Sequence, residues 1–76
     1  MRSIYLIANE IVSDWNNISP YASPYVDAMK QINSIDENYY ADSAKSVVLY
    51  FLSNANGWRG EKAREIKKEL KLMCGI

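Results

Sequence analysis

Asp36, Asn38 and Asp42 alternate in the way that oxygen ligands alternate in a calcium-binding loop, the one spacing in this chain that suggests metal chemistry. The rest of the loop does not follow. Tyr40 stands at the third ligand position, Ala41 replaces the required glycine, and the twelfth position is Val47 where a bidentate glutamate is needed. No metal site and no cofactor are expected. Histidine is absent, which removes the usual general base of nucleophilic triads and the commonest metal ligand. The single cysteine, Cys74, permits neither an internal disulfide nor a thiolate zinc site. Near the end of the sequence it reads as a residue frayed off the last helix in a reducing compartment, with a reactive or cross-linking thiol as the alternative. Paired carboxylates for glycosyl transfer need a cleft between them, which a bundle this small rarely has. No catalytic residue is expected, and the chain reads as non-enzymatic.

The remaining candidates are residues that bind. Six tyrosines and two tryptophans are many for 76 residues. Tyr21, Tyr25, Tyr39 and Tyr40 fall in or beside the connecting regions rather than on apolar stripes, and tyrosine, tryptophan and arginine dominate binding hot spots. The opposing reading is that these rings cover the ends of a small bundle with their hydroxyls in water. Trp58-Arg59 sits in a turn between two glycines. If Trp58 plugs the end of the core, Arg59 is left exposed to engage an anion or a carboxylate. Together, Tyr21, Tyr25, Tyr39, Tyr40 and Arg59 form the expected protein-binding set.

A second set is basic. The net charge is zero, yet residues 1–40 carry −3 and residues 41–76 carry +3. At about 100° per residue, Arg64, Lys67, Lys68 and Lys71 group on one side of the last helix with Arg59 just upstream, as a phosphate-tracking surface would. Glu61, Glu65 and Glu69 form a stripe beside them, which is the pattern of an ordinary solvated helix. A helix-turn-helix joins its helices through three or four residues, and NGWRG here is longer.

These residues need elements to hold them. A first helix is expected after Ser3, with Ile4, Ile7, Ala8, Ile11 and Trp15 on one face and Asn9, Glu10, Ser13 and Asp14 outside. Ser23-Pro24 reads as an N-cap followed by proline at the first position of a second helix, whose stripe is Val26, Met29 and Ile32 and whose end is Asn33-Ser34. Ser34 and Glu37 match a capping box and predict one short helical turn ending near Tyr39-Tyr40, with an irregular loop as the equal alternative. Asp42 or Ser43 caps a third, nearly all-apolar helix running toward Asn56-Gly57; a strand over Val47–Leu52 is disfavoured by its helical flanks. Gly60-Glu61 opens a fourth helix with inner stripe Ala63, Ile66, Leu70 and Met73, ended by Gly75. Its Glu61–Arg64 and Glu65–Lys68 spacings suit ion pairs. The expected fold is all-α, one domain over residues 1–76: a small bundle of three long helices plus one short helix.

Hydrophobic residues make up 49% and charged residues 24%, a globular composition, and a core of this size supplies roughly 3–5 kcal/mol of net stability. Self-association is therefore an open option. The longest early apolar run, Ile4 to Ala8, falls well short of the roughly 18 residues that span a bilayer, and no cleavage-site pattern follows it. Neither signal peptide nor membrane association is expected. Asn17-Ile18-Ser19 fits the glycosylation sequon, which has no meaning without secretion, and the expected location is the cytoplasm.

SIY and IANEI near the start, Asp14-Trp15, SPYVDAM at Ser23–Met29 and SIDENY at Ser34–Tyr39 carry a likeness that continues through DSAKSVVLYFLSNA at Asp42–Ala55 and WRGEKAREIKKEL at Trp58–Leu70. Through these segments the chain resembles a group of small, uncharacterised proteins encoded by tailed phages and prophages. The group has glycine after the tyrosine of the SIDENY stretch, and this chain departs from it with Tyr40. The resemblance implies a phage or prophage origin, action inside the bacterial host cell, and no catalytic residues to transfer. The expected function is that of an accessory protein binding a host or phage protein, as a steric inhibitor of a host defence complex in the manner of an anti-CRISPR. The alternatives are a small nucleic-acid-binding regulator that uses Arg59, Arg64, Lys67, Lys68 and Lys71, and a homo-oligomer whose aromatic patch is its own interface.

Overall fold

The computed structural model describes residues 2–76. The chain is mostly helical, with a small two-stranded sheet: α1 (Ile4–Asp14), α2 (Ser23–Met29), β1 (Asn38–Tyr39), β2 (Asp42–Ser43), α3 (Ala44–Ser53) and α4 (Glu61–Met73). Helix α2 packs on α1 and α3, while α4 closes the other side against α1 and α3. Between them lies one core of Ile4, Ile7 and Ile11 from α1, Val26 and Met29 from α2, Val48 and Phe51 from α3, and Ile66 and Leu70 from α4. No polar or charged residue is buried among the described residues. The three- and four-residue spacing of these side chains gives each helix one inward stripe, and burial of that stripe, more than propensity, holds helices this short.

The first half of the chain is tied by its backbone. The α1 amides of Ile4 and Tyr5 donate to the carbonyls of Asn33 and Ile32 at 3.0 and 2.9 Å, and the Ser3 hydroxyl donates to Asn33 Oδ1. Ser3 occupies the expected N-cap position, but residues 32–33 satisfy the helix amides in place of its side chain. This docking also explains why α2 ends at Met29 and not at Asn33-Ser34. Ile32 is still buried, but in a segment that has left the helix to run along the start of α1. The cap of α2 is Ala22, one residue before the expected Ser23, because the Ser19 carbonyl already accepts from Ala22 and Ser23 in a preceding turn.

The expected short helical turn after Ser34 is replaced by the two-stranded ribbon. Glu37 supplies the reason: its carboxylate accepts from the Asn33 and Ser34 amides at 3.2 and 2.9 Å, half of a capping box, and pins the 33–37 turn. Six residues downstream, Ser43 is fixed as the N-cap of α3 by accepting from the Ser46 amide at 3.1 Å. Between these anchors the chain reverses by pairing Asn38 with Ser43 and Tyr39 with Asp42, leaving Tyr40-Ala41 as a two-residue loop. Ala44 N–H to Glu37 O at 2.8 Å closes the base.

Helix α3 stops at Ser53, three residues before Asn56-Gly57, where the Ser53 and Asn54 side chains donate back to the Leu49 and Tyr50 carbonyls. Helix α4 ends in a Schellman motif: Gly75, at φ +80°, and Ile76 donate to Leu72 and Lys71. Cys74 is not frayed. It forms the last turn of packing and is buried in the core, which pushes its thiol pKa up.

Candidate protein-binding surface

The ribbon holds Tyr39 and Tyr40 at opposite ends of a burial gradient. Tyr39 packs half-buried against the core, whereas Tyr40 is 87% exposed, its ring meeting Tyr39 edge-on at 4.8 Å and 85°. Tyr40 is also the one described non-glycine residue with positive φ, +55°. A tight ribbon loop requires that conformation, glycine adopts it freely, and a bulky side chain does so at a cost of roughly 1–2 kcal/mol.

Tyr25 does not join them. It reaches from α2 to Tyr50 of α3, with ring centroids 5.6 Å apart and tilted by 35°. Tyr50 lies seven residues beyond Ser43, roughly 10 Å along the α3 axis, so the tyrosines form two separate pairs, Tyr39–Tyr40 and Tyr25–Tyr50. Tyr21 precedes Tyr25 by one turn and is 76% exposed. Sequence reasoning counted Tyr50 only as part of the nearly all-apolar third helix and missed its pairing. The signal was present, because at about 100° per residue Tyr50 falls well off the Ala44–Val48–Phe51–Ala55 stripe.

Arg59 is at the far end of α3, exposed as expected, because Trp58 plugs the core. The Trp58 ring stacks on Trp15 at 5.8 Å and 9° and meets Phe51 edge-on at 6.3 Å, and its Nε1–H donates to Asp14 Oδ2 at 2.8 Å. Asp14, read from the sequence as an outward solvent residue, is thus the partner of the plug. Lys67 locks the same turn. Its Nζ donates to the carbonyls of Ala55 and Trp58, each at 2.7 Å, and lies 5.9 Å from the Trp58 ring centroid. Burial, with Lys71 and Arg59 nearby, lowers its pKa. Of the basic set, Lys67 is therefore committed to structure, while Arg59, Arg64, Lys68 and Lys71 are exposed.

Ion pairs form elsewhere. Arg2 bridges Glu69 of α4 and Glu10 of α1, and Lys62 pairs with Glu10 at 2.9 Å. Lys62 first, and then Arg2, hold the Glu10 carboxyl below its ordinary range. Among the described residues neither Glu61–Arg64 nor Glu65–Lys68 closes. Among them, too, no group of three or more potential ligands could hold a metal ion, and no helix is long and apolar enough to cross a membrane. Compared with protein-family models, curated proteins and solved structures, the chain matches none.

Proposed function

We propose that this chain is a non-enzymatic accessory protein of phage or prophage type, working in the bacterial cytoplasm, that binds a host or phage protein and sterically blocks it. A host defence complex is the target class. The bundle of three longer helices and the shorter α2 serves as the mount, and Tyr21, Tyr25, Tyr39 and Tyr40 are the contact residues, with Tyr50 added through its pairing with Tyr25. The observation that carries this reading is Tyr40. A large aromatic ring, almost wholly in solvent, sits at the tip of a turn whose backbone conformation favours glycine. Such a side chain weakens the fold and contributes little to the core, and strain of this kind collects at functional positions. A rigid aromatic held outward is also the residue type that anchors protein interfaces.

The test is a pull-down from bacterial lysate, with and without nuclease, comparing the native chain with the double variant Tyr21→Ser, Tyr40→Ser. A protein captured by the native chain after nuclease treatment and lost by the variant supports the reading. Capture of nucleic acid alone, released at high salt, overturns it in favour of the basic residues. That second reading is favoured by one observation: Arg59, Arg64, Lys68 and Lys71 make no ion pair among the described residues. Three or four phosphate contacts would weaken binding by a log–log salt slope of about −2 to −4.

A further inference from the structure

The outer face of α4 carries a feature that phosphate binding does not use. Arg64, Lys67, Lys68, Lys71, Leu72 and Ile76 enclose a groove of about 440 Å³. Leu72 and Ile76 are 64% and 69% exposed, and the Schellman turn at Gly75 folds Ile76 back toward the last helical turn. Leu72 and Ile76 line the groove together as a small apolar patch rimmed by charge, the arrangement that larger interaction sites share. The rim is of one sign. Arg64, Lys68 and Lys71 have no carboxylate within ion-pair distance among the described residues, and Lys67, at the inner edge, spends its ammonium on two backbone carbonyls. The pKa of Lys67 is lowered first by burial and then by Lys71 and Arg59 nearby.

We propose that this groove is a docking site for a short acidic segment of a partner protein, one in which a large apolar side chain is flanked by carboxylates. The apolar side chain lies against Leu72 and Ile76, and the carboxylates reach Arg64, Lys68 and Lys71. Charge complementarity selects an acidic occupant, and the shape of the charged region selects a short one. From Arg64 to Leu72 the groove spans roughly 12 Å of helix. Glu61 stands exposed about one turn N-terminal to it, and Glu65 is exposed within that span without lining the groove. A polyanion or an anionic bilayer, extending past the groove, would meet the Glu61 carboxylate and gain nothing from Leu72 and Ile76. A compact acidic and apolar segment stays on the lining residues, clear of Glu61, and uses Leu72 and Ile76. The site is on a different element from the tyrosines and stands whether or not they bind.

The test uses the full chain labelled with nitrogen-15. It is titrated with a capped hexapeptide in which a Leu-Phe pair is flanked on each side by two acidic residues. The expected result is saturable amide shift changes concentrated in residues 64–76, with a Kd on the order of 0.1–1 mM. The exposed-site variants Lys71→Glu and Leu72→Ser, checked for native fold by circular dichroism, should each weaken binding about tenfold, equivalent to about 1.4 kcal/mol. A control peptide with Ser-Ser in place of Leu-Phe should lose about as much. Absence of saturable changes, changes centred elsewhere, or equal binding of the Ser-Ser peptide or of a single-stranded DNA dodecamer would each overturn the proposal. Loss of tyrosine-dependent capture in the pull-down would leave these shifts unaltered, so the two readings fail separately.

Discussion

The Trp15–Trp58–Phe51 cluster at the α3–α4 turn and the Tyr39–Tyr40 pair at the ribbon tip are built from the same class of side chain and face opposite ways. At the turn, the polar groups around the rings have partners: the Trp58 indole N–H donates to Asp14, and the Trp58 and Ala55 carbonyls receive Lys67. Trp58 is 2% exposed as a result. At the ribbon tip, Tyr40 stands in water on a backbone that resists its side chain. In this chain an aromatic belongs to the fold where neighbouring elements surround its ring and give its polar atom a partner, as at Trp58, and stays in solvent where no element covers it, as at Tyr40. Hydrophobicity alone does not separate the two.

Four substitutions or conditions would break or sharpen this contrast. The largest effect is expected for Trp58→Ala, which removes a buried ring and costs about 3–5 kcal/mol, comparable to the whole net stability of a chain this size. Its thermal transition by circular dichroism should be lost at room temperature and above; a native-like melt would show that the cluster is not the plug described. Next comes Lys67→Met, which leaves two carbonyls without their donor and should cost roughly 1–3 kcal/mol in urea denaturation. An unchanged midpoint would return Lys67 to the pool of free cations.

Tyr40→Gly should act in the other direction. Relief of left-handed strain, less the extra entropy of glycine in the unfolded chain, gives a stabilisation of about 0.5–1 kcal/mol and a rise in Tm of roughly 2–8 °C, together with loss of partner capture. A fall in Tm would mean that the Tyr39–Tyr40 contact outweighs the strain.

The smallest effect concerns acid. The folded pKa of Glu10 lies below its ordinary value of 4.5, by pairing with Lys62 and Arg2. The stability it contributes is therefore fully present above that ordinary value and is lost as pH falls through the lowered one. Glu10→Gln should lessen the acid sensitivity of the melt below about pH 4.5, and salt should shrink the difference, because the pair is partly exposed. Equal acid sensitivity in both proteins would remove Glu10 from the account.

What the sequence disclosed and what it withheld follow from the range of the interactions involved. The stripes of α1 and α4 and the Ser43 cap are local, set by side chains a few residues apart, and could be read in advance. The inward turn of Trp58 was left open, since an indole between two glycines can plug the core or project outward, and the Asp14 and Lys67 partners that hold it come from other elements. The early end of α2 depends on Ile32 and Asn33 meeting α1, about thirty residues away in the chain, and no local pattern announces it. The ribbon has two residues per strand, too few for any alternation to show, and arises only because Glu37 and Ser43 are both anchored. The site divides in the same manner. The exposure of Tyr21, Tyr40 and Arg59 was legible from their places in turns. The Tyr25–Tyr50 pair and the commitment of Lys67 to the Ala55 and Trp58 carbonyls required two elements to meet.

Both tryptophans of the chain lie in the one stacked pair, 5.8 Å apart. Their ultraviolet emission therefore watches a single place, the seam where α1 meets the α3–α4 turn. Opening of that seam will shift the spectrum, while an event at the ribbon tip, lit only by tyrosine, will leave it dark. The protein carries its own optical gauge of integrity, and the gauge is turned away from the ribbon where its partner is expected to land.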